Sequence, residues 1–176
     1  MTTVAALLFV FLATAAFGAE ATNDMDIVMD VQEITLVNFT VPDAIDLALT
    51  SPTAAGALPT NDTTHTTVRL IYTTTVPTGQ TRRVQVSFDS LGNHPPAGTE
   101  LRVLANPVPA NTGTSAGTVV ISDAAQDFVV DIGSCRTGTA ANSGPRIRYT
   151  FALVDPAALA IESPTVTVIY TFTAAS

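Results

Sequence analysis

Residues 81–88 have the sequence TRRVQVSF, in which Val84, Val86 and Phe88 alternate with polar side chains. Alternation with a period of two is typical of a β-strand that is buried on one face. The preceding run, residues 68–75 (VRLIYTTT), is rich in the β-branched and aromatic residues that favour strands. Between the two runs, residues 76–80 (VPTGQ) contain a proline and a glycine in turn positions. The pattern predicts a β-hairpin over residues 68–88.

Similar runs recur along the rest of the chain. They cover residues 24–36, 44–49, 101–105, 118–121, 128–132, 146–153 and 165–173, and loops rich in Pro, Gly, Asn and Asp separate them. In the first of these runs the alternation slips at Gln32–Glu33, which predicts a β-bulge or a change of sheet there. Only residues 155–160 favour a turn of helix, with Asp155 as the cap. About nine strands predict an all-β fold, a single antiparallel β-sandwich of immunoglobulin-like or jelly-roll-like type, and a barrel is the alternative.

The amino-terminal residues are typical of a secretory signal peptide. An apolar run over residues 4–17 ends in small residues and is followed by an acidic segment. This run is shorter than the roughly 20 residues that a membrane-spanning helix needs. We expect a signal peptide over residues 1–21, cleaved after Ala21 or after Gly18, and a mature domain over residues 22–176 that is secreted to the cell surface. The alternative is retention of the segment as a filament core helix or a membrane anchor.

The charge balance argues against nucleic acid as a partner. The formal net charge is −8, and the seven cationic side chains are all arginines. Only Arg82–Arg83 and the pair Arg146 and Arg148 come close together in the sequence, whereas a phosphate-binding surface needs a clustered positive field. Both pairs fall in predicted strands, so we interpret them as solvent-facing residues that keep sheet edges from associating.

The residue types that carry catalysis and metal binding are scarce. His65 and His94 lie in predicted loops, but neither belongs to a nucleophile motif. The aspartates at 24, 26 and 30 and those at 123, 127 and 131 are closely spaced, yet neither group matches a calcium-binding loop. We therefore predict no enzyme activity, no metal and no cofactor. Asn38 and Asn61 fit the N-glycosylation pattern, which matters in a host that glycosylates.

Cys135 is the only cysteine, so no disulfide can form within one chain. An unpaired cysteine in an exported protein can form a disulfide between two chains. The other interpretation is a buried free thiol, because free cysteine is among the most buried residue types. The sequence leaves both outcomes open.

The run after the predicted signal peptide is a candidate for assembly between subunits. Its apolar residues are Met25, Ile27, Met29, Val31, Ile34 and Leu36. An extended apolar segment near a free amino terminus can add a strand to a neighbouring subunit, with main-chain hydrogen bonds for affinity and alternate side chains for register. The alternative is that the same strand pairs within its own domain.

The layout of signal peptide, acidic alternating first strand, Thr-rich β domain and apolar last strand (residues 165–173) looks like that of small surface proteins of bacteria or archaea. It resembles their pilin-like and spore-coat-like β-sandwiches. This resemblance implies a non-enzymatic structural subunit or adhesion module of a surface filament, coat or matrix. The alternative function is a monomeric extracellular module that binds a glycan or calcium through the loops 91–100 and 106–117.

Overall fold

The computed structural model of the protein describes residues 29–40, 45–60, 62–64 and 68–174. The chain divides into two compact units, residues 1–31 and residues 32–176. The predicted signal peptide, together with Met25, Ile27, Asn61 and His65, lies outside the described residues. In the part of the chain that the structure describes, no helix is long and apolar enough to cross a membrane.

The described residues of the larger unit contain eleven β-strands and no α-helix. The strands are β1 (Ile34–Phe39), β2 (Asp62–Thr64), β3 (Leu70–Thr75), β4 (Arg82–Phe88), β5 (Thr99–Ala105), β6 (Thr114–Ser115), β7 (Thr118–Val120), β8 (Gln126–Ile132), β9 (Cys135–Arg136), β10 (Ile147–Leu153) and β11 (Val168–Ala174). The prediction of an all-β chain is confirmed, with two more strands than the nine expected.

The strands form three antiparallel sheets with the orders β1-β3-β9, β2-β10-β5-β7 and β11-β4-β8-β6. The first two are joined where Arg69 and Arg146 form a β-bridge. There the Leu70 N–H donates to the Pro145 carbonyl at 3.0 Å, and the Ile147 N–H donates to the Val68 carbonyl at 2.9 Å. We call the two joined sheets the front sheet and the third the back sheet.

The core lies between the front and back sheets, as in a β-sandwich. Alternate residues of the front strands point inward, including Leu70, Tyr72, Val103 and Ile147, and those of the back strands include Val84, Val86, Phe128 and Ile132. Aromatic rings meet across the layer, since Tyr72 packs edge-on against Phe172 with ring centroids 5.7 Å apart. The antiparallel β-sandwich class predicted from the sequence is therefore confirmed.

The predicted hairpin over residues 68–88 is wrong. β3 pairs with β1 and β9, whereas β4 pairs with β11 and β8, so the two strands lie in different sheets. The turn itself forms, with the Gln80 N–H donating to the Pro77 carbonyl at 3.0 Å and Gly79 at a φ of 81°. It carries the chain across the core instead of folding one strand back on the other.

The remaining strand predictions have mixed outcomes. The predicted strands at 101–105, 118–121, 128–132, 146–153 and 165–173 correspond to β5, β7, β8, β10 and β11, with shifted ends. No strand forms over residues 45–49, although Ile45 and Leu47 pack against the core. Asp155 caps a turn by accepting from the Ala157 N–H at 3.0 Å, but no helix follows. Residues 32–33 precede β1 and make no bulge, and the irregular pairing lies instead between β4 and β8, near Val84.

Two tyrosine hydroxyls meet inside the sandwich, and they make its stability sensitive to alkaline pH. The Tyr149 and Tyr170 oxygens are 2.7 Å apart. Burial raises the pKa of Tyr149 to about 12, and the hydrogen bond to Tyr170 offsets part of this rise. Burial, followed by repulsion from a Tyr149 phenolate, raises the pKa of Tyr170 well above the usual value of 10.

The free energy of unfolding is expected to fall as pH rises from about 10 to about 12. The unfolded state loses its tyrosine protons first, so the native state binds more protons in this window and loses stability. A rise of two pKa units in Tyr149 corresponds to about 3 kcal/mol. Urea unfolding at a series of pH values would measure the slope. The double variant Tyr149→Phe, Tyr170→Phe should reduce the slope to the part due to Tyr72, because burial raises the pKa of Tyr72 to about 12 as well. An unchanged slope would contradict the assignment.

Candidate assembly surface

The first strand of the domain is apolar but poorly covered. β1 has one hydrogen-bonded neighbour, β3, with Ile34 opposite Thr75 and Leu36 opposite Thr73, so its other edge is free of strand pairing within the described sheets. Leu36 is 64% exposed. Val37 lies opposite the buried Tyr72, on the core side, and is still 40% exposed. The sandwich therefore leaves most of β1 uncovered on both faces, and only Phe39 at its end packs on the core, edge-on against Tyr170 with ring centroids 5.2 Å apart.

The residues that lead into β1 are exposed as well. Met29 is 87% exposed and Val31 is 78% exposed, and neither belongs to a strand. Exposure of several large apolar side chains in one short stretch is uncommon on a monomeric soluble protein and marks interaction sites. Of the predicted assembly residues, the structure thus places Ile34 and Leu36 in the chain's own sheet and leaves Met29 and Val31 uncovered.

The outer surface of β3 forms the floor of a shallow groove. Its volume is about 340 Å³, with Leu36 and Asn38 of β1 along one side and Gly138 and Thr139 along the other. Ile71 and Thr73 lie on the floor. Gly138 has no side chain, so no side chain projects into the groove at this position. The groove is open to solvent.

Five of the seven arginines share the outer face of the front sheet. Arg69 lies opposite Arg146 across the β-bridge. Arg136 lies opposite Thr73, whose side chain is on the same face of the sheet as that of Arg69. Arg148 is two residues from Arg146, so both side chains are on the same face of the sheet. Arg102 on β5 lies opposite Thr150, which is two residues beyond Arg148 on β10 and therefore on that face as well. The residues between them in the strands, such as Ile147 and Val103, point into the core. Strand register brings the five together, whereas in the sequence only Arg146 and Arg148 of this group lie close to each other.

Most of these arginines have no acidic partner in the described part of the chain. Arg102 forms an ion pair with Glu100. No carboxylate among the described residues pairs with Arg69, Arg136, Arg146 or Arg148. The two remaining arginines, on β4, both have partners: Arg82 pairs with Glu33, and Arg83 pairs with Asp127 at 3.4 Å. Four of the five arginines of the front face are therefore without a carboxylate partner among the described residues, in a protein of net charge −8.

Cys135 is partly buried and packs against the core. It lies opposite Thr74, which is 2% exposed, on the inner side of the front sheet. Burial raises the pKa of its thiol, which lowers the fraction of reactive thiolate at neutral pH. Pairing of this thiol with a second chain stays a prediction from the sequence.

The other candidate groups lie apart from this surface or make simpler contacts. The His94 Nε2 is 2.7 Å from a carboxylate oxygen of Asp123, and its ring packs edge-on against Phe88. Asp127 binds Arg83 and accepts from the Gln85 amide at 3.0 Å. The structure brings no group of three acidic, histidine or cysteine side chains together for a metal ion within the residues it describes.

The loops proposed for ligand binding are held by internal contacts. In the 106–117 loop, the Thr112 carbonyl accepts a hydrogen bond from the buried Tyr72 hydroxyl. In the 91–100 loop, the Thr99 N–H donates to the Pro96 carbonyl at 3.1 Å. Asn38, which fits the N-glycosylation pattern, lies near the end of the exposed strand β1. Its side-chain oxygen accepts a hydrogen bond from the Phe39 N–H at 2.8 Å.

Comparison with known proteins adds no relative. No family model matches the chain, no curated protein matches it, and no solved structure matches it.

Proposed function

We propose that the protein is a secreted, non-enzymatic structural subunit that assembles with copies of itself into a filament, coat or matrix at the cell surface. The observation that carries this proposal is the run of uncovered apolar residues that enters and forms β1. Met29, Val31 and Leu36 are each more than half exposed in the single chain. Covering them with another copy removes this apolar surface from water, which stabilises the assembly by about 25 cal/mol for each Å² buried.

Ile34 and Leu36 pair with β3 of their own chain. Exchange of the whole predicted segment 25–36 would require β1 to leave its own sheet. We therefore narrow the donor to the residues before β1, Asp24 to Val31, which are joined to the domain through β1. The acceptor is then a surface that the folded neighbour already presents, and no subunit has to open to accept it.

Secretion is part of the same proposal. The apolar run over residues 4–17 has the length of a signal peptide core, and cleavage after Ala21 or Gly18 would leave Met25 within a few residues of the new amino terminus. Removal of the signal peptide would then free the donor segment only after export. Premature assembly in the cytoplasm would be avoided.

The test is electron microscopy and light scattering on the secreted product of the full-length gene, purified without denaturant. Mass spectrometry of the same sample gives the amino terminus. We expect filaments or large regular oligomers whose subunits have residue 19 or residue 22 as their amino terminus. A monomer at every concentration would contradict the assembly, and an intact residue 1 would contradict cleavage.

A further inference from the structure

We propose that the groove over β3 is the acceptor site, and that it binds the acidic segment Asp24–Val31 of a neighbouring copy through Arg136, Arg146 and Arg148. We call these three arginines the arginine row. The inference rests on the proposed self-assembly and names the surface that accepts the donor. The inference follows from three properties of the front sheet. These are the arginines without a carboxylate partner among the described residues, the spacing of the arginine row along β3, and the apolar side chain of Leu36 on the opposite side of the groove.

The charges of the two surfaces are complementary. Arg69 and Arg146 lie directly opposite each other, and like charges in such a pair destabilise a sheet. An acidic partner removes this repulsion. The donor segment supplies Asp24, Asp26 and Asp30 within seven residues. Complementary charge of this kind fixes register and excludes wrong partners.

The spacing of the arginine row matches that of the aspartates. All three arginines lie beside β3 on the same side. Arg136 is level with Thr73, Arg146 is level with Arg69, and Arg148 is two residues beyond Arg146. At about 3.3 Å per residue, the intervals along the strand direction are about 13 Å and about 7 Å.

In an extended donor, Asp30 and Asp26 are four residues apart and Asp26 and Asp24 are two residues apart, which gives the same intervals. The match assigns Asp24 to Arg148, Asp26 to Arg146 and Asp30 to Arg136. The donor then runs parallel to β3.

The opposite side of the groove suits the other face of the donor. Leu36 is level with Thr73, across β3 from Arg136. With Asp30 on Arg136, the alternating apolar residues Met29 and Val31 come to the level of Leu36. An extended segment over β3 thus presents carboxylates to the arginines and apolar side chains to the uncovered part of β1.

Charge reversal in complementary pairs tests the assignment. The donor variant is D24R/D26R/D30R, and the acceptor variant is R136E/R146E/R148E. Each alone is expected to need at least about tenfold more protein to assemble, which corresponds to 1.4 kcal/mol. A 1:1 mixture should regain assembly, because the basic donor of one variant meets the acidic row of the other. Light scattering and electron microscopy follow both.

Two further variants guard against effects on folding and export. R136E/R148E leaves Arg146 in place, whose Nε donates to the Asn106 carbonyl at 3.1 Å, and it should weaken assembly without loss of this contact. D24N/D26N/D30N adds no positive charge behind the signal peptide. The control T165E/T167E/T171E places three carboxylates on exposed positions at the back sheet and should assemble like the wild type.

The outcomes separate this inference from the proposed function. If the wild type assembles and the acceptor variants assemble equally well, the arginine row is not the acceptor, although self-assembly stands. If the wild type assembles but each charge-reversed variant fails and their mixture also fails, the pairing of the aspartates with the arginine row is overturned, although self-assembly stands. If the wild type stays monomeric and binds a heparin column through the row, the partner is an external polyanion, and both proposals fall.

Discussion

The double variant Ile27→Asp, Met29→Asp is expected to abolish assembly while the domain stays folded. Met29 is 87% exposed in the single chain, so a carboxylate there costs the monomer little. In the assembly, both residues are proposed to be covered by a neighbour. Burial of an apolar side chain contributes about 1.5–3 kcal/mol, so loss of two raises the concentration needed for assembly by about a hundredfold or more. Light scattering over a dilution series measures this shift.

The matched control is Leu91→Asp, Ile161→Asp. Both residues are almost fully exposed and lie in loops, and the substitution adds the same two charges. This control should assemble like the wild type, and all three proteins should have the same melting temperature. Polymers of wild-type size in the Ile27→Asp, Met29→Asp variant would rule out the segment as donor. A lower melting temperature in that variant alone would show instead that the segment supports its own domain.

The strands could be predicted because alternation reports burial directly. Residues 84, 86 and 88 point inward in β4, and residues 147 and 149 do so in β10, as their pattern indicates. Alternation does not identify the partner strand, because two strands on opposite sides of a core show the same pattern as two strands of a hairpin. The wrong pairing of residues 68–75 with residues 81–88 has this cause. The prediction for residues 45–49 failed for a related reason, since apolar residues can pack on a core without sheet pairing.

The candidate site was only partly visible in the sequence. The apolar donor residues form one continuous run, so a local pattern is enough to find them. Arg69, Arg136 and Arg146 are dispersed along the chain, and only the register of β3 with β9 and β10 aligns them. From the sequence alone, only Arg82–Arg83 and the pair Arg146 and Arg148 are interpreted as solvent-facing residues, and in the structure all four are half-buried. Their common face, and the absence of a carboxylate partner for them among the residues that the structure describes, could not be predicted without the sheet order.

Gly144 is where the front sheet is joined, and replacement by alanine is expected to have the largest effect on stability of any change at a glycine. The residue has a φ of 77°, in the left-handed region. A Cβ there would overlap the carbonyl oxygen of Leu70 and lie 2.9 Å from its carbonyl carbon. These are backbone atoms of β3 and cannot rotate away. The chain must separate from β3, and the bond from the Leu70 N–H to the Pro145 carbonyl would be lost.

Gly117→Ala is the matched control for this prediction. Gly117 also has a positive φ, of 91°, but a Cβ there meets nothing within 4 Å. It therefore carries only the conformational cost of roughly 1–2 kcal/mol for a left-handed residue. Gly144→Ala adds the backbone overlap and at least one broken hydrogen bond of about 1 kcal/mol, so its total loss should reach about 3 kcal/mol or more. Urea unfolding of both variants compares the two, and equal losses would contradict the close approach.

Gly144→Ala is also expected to weaken assembly, because Gly144 lies close to the arginine row. It lies between Arg136 and Arg146 in the chain, and its carbonyl accepts from the Arg69 guanidinium at 3.2 Å. Separation of this segment from β3 displaces Arg146 and Arg148 relative to Arg136 and destroys the spacing that matches the donor. Gly144→Ala protein that is still folded at low temperature should therefore assemble poorly, whereas Gly117→Ala protein should assemble normally. Normal assembly of folded Gly144→Ala protein would show that the spacing of the row is not required.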